Sequence, residues 1–368
     1  MGRARARSLD PERLARVRFA AQLLHRPTAI RDSAEVARLT AGIQAQDPPA
    51  ARLSFRSRAR RLTAADVDRA RTGERSLLRT WLMRKTIHII ATEDAGWILP
   101  LFEPSIERWS RRRLEQLGMP PGTQEKALRT IARALDDGPL TRTDAAARVT
   151  DAGIALNSQT RLHVVGLAVT SGLALLGPDR GAQSMLVRRE EWIGTAPPFD
   201  RDRALAELAR RYVGAFGPAT DRDFAYWSGL PLRDVRAGLD AISAELEEIR
   251  VGEEGMVVLR GRLPRLPRPD QVRMLGGFDT YLLGYKERGF ATGDEHRGTV
   301  SDGGGGIYPV IVRDGVVRAG WRVSRKRGGL EISFNDPESI PRDMRAAIDA
   351  EITDIRRFED APVTLTGG

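Results

Sequence analysis

Apolar positions recur at helical spacing through most of the chain and give way to short strand-like runs near its end. Within the helical part, residues 138–146 (GPLTRTDAA) and 217–225 (GPATDRDFA) share Gly-Pro-x-Thr-x-x-Asp-x-Ala at an offset of 79. Thr141 and Thr220 have N-cap chemistry. Asp144 and Asp223 fall in the first turn, where a carboxylate meets the positive end of the helix. Around the first copy the pattern predicts helices over 126–135, 141–149 and 158–170, then a hairpin over 173–188 broken at 177–181. Around the second it predicts helices over 203–215, 220–227 and 232–242, then a hairpin over 246–259 turning at GEEG. A helix, a helix–turn–helix and a β-wing make the winged-helix plan.

A more diverged third copy threads through the N-terminal region. Leu14, Val17, Ala21 and Leu24 share one helical face, and SAEVARLTAGI (33–43) resembles AARVTDAGI (146–154), each ending in a glycine turn. QAQDPPAARLSFRSRARR then leads into a third helix carrying Arg52, Arg56, Arg58, Arg60 and Arg61. In LRTWLMRKTIHIIAT, the alternation from Thr86 to Ile90 predicts a strand or hairpin. Past PRLPRPD (264–270), the runs IYPVIV and VRAGWRV, with turn sequences DGGGG and RDG, predict a small β-rich domain closed by a helix over 341–358. The expected fold is α+β: three tandem winged-helix units at 1–120, 121–198 and 199–264, and a C-terminal β-rich domain at 265–368.

Composition narrows the chemistry. The 368 residues, 41% of them hydrophobic, can bury substantial cores, and two to three domains fit that length. With no cysteine there is no disulfide, thiolate nucleophile or cysteine zinc site, and four histidines leave little for a metal, so no cofactor is expected. MGRARARSLD is followed by no apolar core segment and no run is long enough for a bilayer. A soluble, cytoplasmic protein without a membrane partner is expected. Net charge is +10, but residues 1–120 hold 24 basic and 13 acidic side chains while the rest hold 35 and 36. Arginine replaces lysine throughout, 55 to 4, as a GC-rich genome would dictate, yet codon bias does not explain the asymmetry. A local basic region attracts a polyanion through counterion release, which makes double-stranded DNA the expected partner, with Arg52, Arg56, Arg58, Arg60 and Arg61 as expected contacts.

In a helix–turn–helix the N-terminal end of the third helix lies closest to the bases, and Gln44 and Gln46 fall there in the first unit. Residues two apart in a turn or extended backbone can project to one side. A glutamine can pair with adenine or hold a water but cannot ionise; equally, one or both amides could cap the turn. Trp81 reads as core. Asp279, Tyr281, Lys286 and Arg288 in FDTYLLGYKERG could line a cleft opposite the glutamines, although the simpler reading of Asp279 is a pair with an arginine. Arg322 and the basic run at 325–327 could add phosphate contacts or form a solvated face.

AGIQAQDPPAARLSFRSR, followed in order by LRTWLMRKTIHIIATEDAGWILP, GPATDRDFAYWSGL, GGFDTYLLGYKERG and DGVVRAGWR, resembles the AlkZ/YcaQ-like family of bacterial DNA glycosylases over nearly the whole chain. The resemblance implies tandem winged helices plus a β domain around DNA, and excision of bulky or crosslinking alkylated purines in repair or self-resistance. Gln44-Ala45-Gln46 matches the Gln/Gln form of the motif, which makes these two residues the implied catalytic pair. Arg84, Lys85 and His88 fall in a segment the family places near DNA, which implies DNA contacts, although His88 could equally hold the hairpin or simply pack; Lys85 stands where a small residue is the pattern.

A purine alkylated at N7 or N3 is cationic and leaves as a neutral base, so two amides that orient water suffice and no carboxylate pair is required. The expected activity is that of a monofunctional glycosylase working as a monomer at the nucleoid. The competing reading is a non-enzymatic winged-helix regulator or damage-binding protein in which the glutamines read bases; three tandem units in one chain favour the enzyme over a dimeric regulator.

Overall fold

The computed structural model describes residues 7–25, 28–180, 183–195, 198–263, 268–293, 295–301, 303, 305–338 and 340–366. The chain divides into two compact units, Arg69–Ala204 and a second made of Met1–Asp68 with Leu205–Gly368. Helix and strand are mixed in both. Parts of the expected 264–270 linker, the 177–181 break and the 302–306 turn lie outside the described residues.

In Arg69–Ala204 the first repeat copy has the order its pattern predicts. Helices run over Pro121–Asp136, Arg142–Asp151 and Ser158–Thr170, followed by strands Ala174–Arg180 and Gln183–Arg188. Thr141 caps its helix through a reciprocal box with Asp144, each side chain satisfying a backbone N–H that the helix itself cannot pair. Strands Leu77–Trp81 and Ile87–Ala91 form a hairpin, and Arg79 pairs with Leu176 to join it to the second hairpin. Every residue of Ile87–Ala91 is buried, so the apparent alternation from Thr86 to Ile90 does not mark a solvent face. Between these elements lies Ala95–Gln116, a 22-residue helix that packs on Ser158–Thr170.

The other unit holds the second copy: helices Arg201–Phe216, Asp221–Ser228 and Leu232–Ala241, then strands Leu246–Val251 and Glu254–Leu259. Thr220 and Asp223 repeat the capping box. At the N-terminal side are helices Pro11–Ala21, Ser33–Leu39 and Pro48–Arg58, capped by Asp10, Asp32 and Asp47. Strand Arg7–Leu9 adds in parallel to Leu246–Val251.

The C-terminal sheet runs, among the described residues, in the order Val363–Leu365, Gly329–Phe334, Val316–Lys326, Val310–Arg313, Val272–Leu275. Leu53 of the Pro48–Arg58 helix enters its core beside Met274, Trp321 and Ile355, and helix Arg345–Glu359 covers the same side.

The 279–285 segment is interior. Tyr285 and Tyr212 donate to the carbonyls of Phe216 and Gly284, each at 2.9 Å, and a Cβ at Gly284 would fall 2.2 Å from the Phe216 ring. Glycine is therefore required there. Tyr281 is fully buried, its hydroxyl donating to Gly315 O at 2.7 Å. It lines no cleft; its aromatic face is filled by Phe19 and Phe290.

Candidate active site

The Gln44–Gln46 step is set by what precedes and follows it. Helix Ser33–Leu39 ends with Gly42 N–H donating to Ala37 O (2.7 Å) and Ala41 N–H to Arg38 O (3.1 Å), the two bonds of a Schellman motif. The left-handed residue in that motif is Ala41, at φ 56°, where glycine is usual. The equivalent turn after Arg142–Asp151 uses Gly153, at φ 81°. A side chain in this region costs about 1 kcal/mol, strain held three residues ahead of Gln44.

Ile43–Gln44 is a short strand. Asp47 then accepts from Ala50 N–H at 3.3 Å to start the next helix on Pro48 and Pro49, whose missing N–H groups need no partner. Gln44 and Gln46 thus both precede the N-cap, but differ in exposure: Gln44 is 6% exposed and Gln46 faces solvent. One amide belongs to a buried wall and the other to the surface.

The same helix is fixed from behind. Arg58 grips Asp279 through both carboxylate oxygens at 2.8 and 2.9 Å, both side chains being 0% exposed. Ser54 donates to the same carboxylate at 3.0 Å, and Arg58 also donates to Gln22 Oε1 (2.9 Å) and Thr280 Oγ1 (3.0 Å). Burial alone would raise the Asp279 pKa, but the Arg58 charge and these hydrogen bonds outweigh it and hold the carboxyl below its ordinary value. Arg56 likewise donates to Met274 O (2.6 Å) and pairs with Glu351 at 2.9 Å.

Arg56 and Arg58 were expected to contact DNA. They are corrected to inward anchors, because each is committed to a buried carboxylate of the same unit. Asp279, a cleft candidate whose simpler reading was a pair with an arginine, is the buried partner of Arg58 and lines no cleft. Arg52 is half-buried against Asp68 at 3.1 Å, while Arg60 and Arg61 are exposed. Lys286 is exposed, its backbone N–H donating to Asp223 at 2.9 Å. Arg288 is partly buried and ties Leu282 O (2.7 Å) to the Tyr226 hydroxyl (3.0 Å). Arg322 is exposed on strand Val316–Lys326, and Arg325 pairs with Glu359.

Beside the helix start is a hollow of about 340 Å³ that sequence reasoning missed. Asp47, Pro49, Leu53, Phe278, Tyr308 and Pro309 are among its lining residues. Phe278 sits there at φ 56°; apolar residues scattered over more than 250 positions leave no local signal.

In Arg69–Ala204, the turn between strands Leu77–Trp81 and Ile87–Ala91 sets Arg84 at φ 53° and Lys85 at φ 62°, both left-handed. Lys85 stands where the family pattern has a small residue, and adopts the conformation such a residue would supply cheaply. His88 is buried and donates from Nδ1 to Thr86 O at 3.1 Å, since a carbonyl can only accept. Burial, reinforced by the nearby Arg84 charge, pushes its pKa down to about 3. It is a neutral imidazole at neutral pH, and its burial makes it part of the hairpin's packing rather than a DNA contact.

A motif of two neutral amides at a helix start, on a basic chain with repeated helix–hairpin units, fits a protein that handles DNA. The family described as "DNA glycosylase AlkZ-like" matches residues 36–358, and the chain belongs to it. Members act on N-glycosyl bonds in DNA. An interstrand DNA cross-link repair glycosylase of Streptomyces sahachiroi is 29% identical over 322 residues, 82% of this chain and 84% of that protein. The solved structure of the Streptomyces sahachiroi DNA glycosylase AlkZ is similar with a TM-score of 0.75 at 26% identity, covering 98% of this chain and 100% of that one. Among the described residues, no helix is long and apolar enough to cross a membrane.

Proposed function

We propose that the chain is a monofunctional glycosylase that hydrolyses the N-glycosidic bond of N7- or N3-alkylated purines, including bulky and crosslinked ones, with Gln44 and Gln46 orienting the attacking water. The observation that carries this reading is the position of the pair: two amides immediately ahead of the Asp47 N-cap, one in the wall and one at the surface. Neither can remove a proton outright, and neither needs to. The cationic base departs neutral, so the barrier lies mainly in placing water against an oxocarbenium-like sugar.

The carboxylate at Asp47, beside Gln46, adds negative potential where positive charge develops and offsets the positive helix end. The repeated helix–hairpin units act as winged helices, with Arg60, Arg61, Arg84 and Lys85 supplying phosphate contacts. Reaction at the nucleoid of a bacterial cell, by a monomer, follows from this reading.

The test is release of 7-methylguanine from alkylated duplex DNA. Gln44→Ala and Gln46→Ala are each expected to slow release by about a hundredfold with little loss of DNA affinity, the scale of a misplaced reactant. Borohydride should trap no protein–DNA adduct, because no lyase step follows. If wild type binds duplex but frees no base from methylated or bulkier N7 adducts, the hydrolase reading is wrong.

A further inference from the structure

The structure leaves a tryptophan open on the Arg69–Ala204 unit. Trp109, in helix Ala95–Gln116, is 41% exposed, although a residue of its size and apolarity is normally buried. The His163 ring stands edge-on at 6.2 Å and 73°, and the Lys85 ammonium rests 5.7 Å from the indole centroid. Three separate elements converge here: the strained hairpin turn, the long helix, and the third helix of the first repeat copy. The nearby charges are positive. Arg113 lies close enough to reinforce the effect of burial in lowering the His163 pKa, and Arg108 and Arg112 of the same helix are exposed. An indole face edged by an imidazole and lying under an exposed ammonium is a seat for a flat π system that arrives attached to a polyanion.

We propose that Trp109 is a stacking seat for one unpaired nucleobase of bound DNA, with His163 fixing the indole and Lys85 leaving the ring for the adjoining phosphate. This rests on the DNA-directed reading above. Every base has a π face, so the seat tolerates any sequence but requires a base free of its stack. Lys85 suits the exchange: its cation–π contact at an exposed site is weak, and its ammonium regains a full charge partner on the backbone.

The experiment compares two labelled duplexes by fluorescence anisotropy, one fully paired and one with a single bulged base, using the full chain. Trp109→Ala should weaken binding to the bulged duplex by about tenfold, the scale of one base–aromatic stack, and leave the paired duplex nearly unchanged. Trp109→Phe should keep most of the difference. Trp109→Leu, which keeps apolar bulk without a π face, should lose it.

Equal weakening on both duplexes, unaltered binding to the bulged one, or a leucine variant that matches wild type would each overturn the seat. Base release from alkylated DNA is measured alongside. A wild type that prefers the bulged duplex but frees no base supports the seat while refuting the hydrolase reading. Release without that preference overturns the seat alone.

Discussion

In the Pro48–Arg58 helix the basic side chains at 56 and 58 turn inward to meet Glu351 and Asp279, whereas the turn at 83–85 holds Lys85 outward on a backbone that resists side chains. Both segments read in the sequence as positive charge waiting for phosphate. The difference lies in what faces them. Where carboxylates arrive from far along the chain, guanidinium forks are consumed in fixing the helix that presents Gln44 and Gln46. At Lys85, where no carboxylate among the described residues meets the ammonium, the charge stays available, at the cost of a strained turn. A basic segment can therefore serve a DNA enzyme in two ways, by holding the site rigid or by holding the substrate.

The sharpest way to break this comparison is at Asp279. Asp279→Ala removes the acceptor for two Arg58 bonds and strands a buried guanidinium, so stability should fall by about 3–5 kcal/mol in urea unfolding, with base release lost as the helix loosens. Replacing both partners with apolar residues of similar volume should restore much of that stability, though Gln22 and Thr280 would still lack the Arg58 donor. A single Asp279→Ala variant as stable as wild type would show that the arginine is not an anchor.

A smaller effect comes from His88. Its pKa of about 3 in the fold lies below the ordinary 6.5, so the unfolded chain takes up a proton before the folded one does. The contribution is fully present above pH 6.5 and is lost as the pH falls from there towards 3. Between pH 7 and 5 that amounts to about 2 kcal/mol of lost stability. His88→Gln should flatten the slope over this window. An unchanged slope would mean that the imidazole is not buried neutral.

These two cases also show where the sequence was readable. The N-caps at Thr141 and Thr220 and the repeated helix–hairpin order were legible because a cap is a contact over three residues and hydrophobic periodicity is local. So was the location of Gln44 and Gln46 ahead of a helix, fixed by Asp47 and two prolines. The direction of Arg58 was not, since its partner lies 221 positions away and charge alone does not name its mate. The possibility that Asp279 pairs with an arginine could be stated, but not which arginine. Tyr281 could be set opposite the glutamines from its segment alone because nothing local names the rings that bury it, which come from Phe19 and Phe290. Trp109 was hidden in ERWSRRR, which reads as a solvated charged face and gives no hint that His163 and Lys85 meet there.

The smallest effect, and the one that sharpens the comparison most, is at Lys85. In the left-handed region a lysine pays roughly 1–2 kcal/mol that glycine does not, while glycine loses about 0.5–1 kcal/mol more backbone entropy on folding. Lys85→Gly should therefore leave stability unchanged or raise it by up to about 1.5 kcal/mol. The same change removes one outward cation, so the slope of log affinity against log salt for the bulged duplex should shrink by about 0.9, one phosphate contact. Opposite movements of stability and affinity are the signature of a residue kept for its ligand at the expense of its fold. If Lys85→Gly lowers stability and leaves the salt slope intact, the lysine serves the hairpin rather than the DNA.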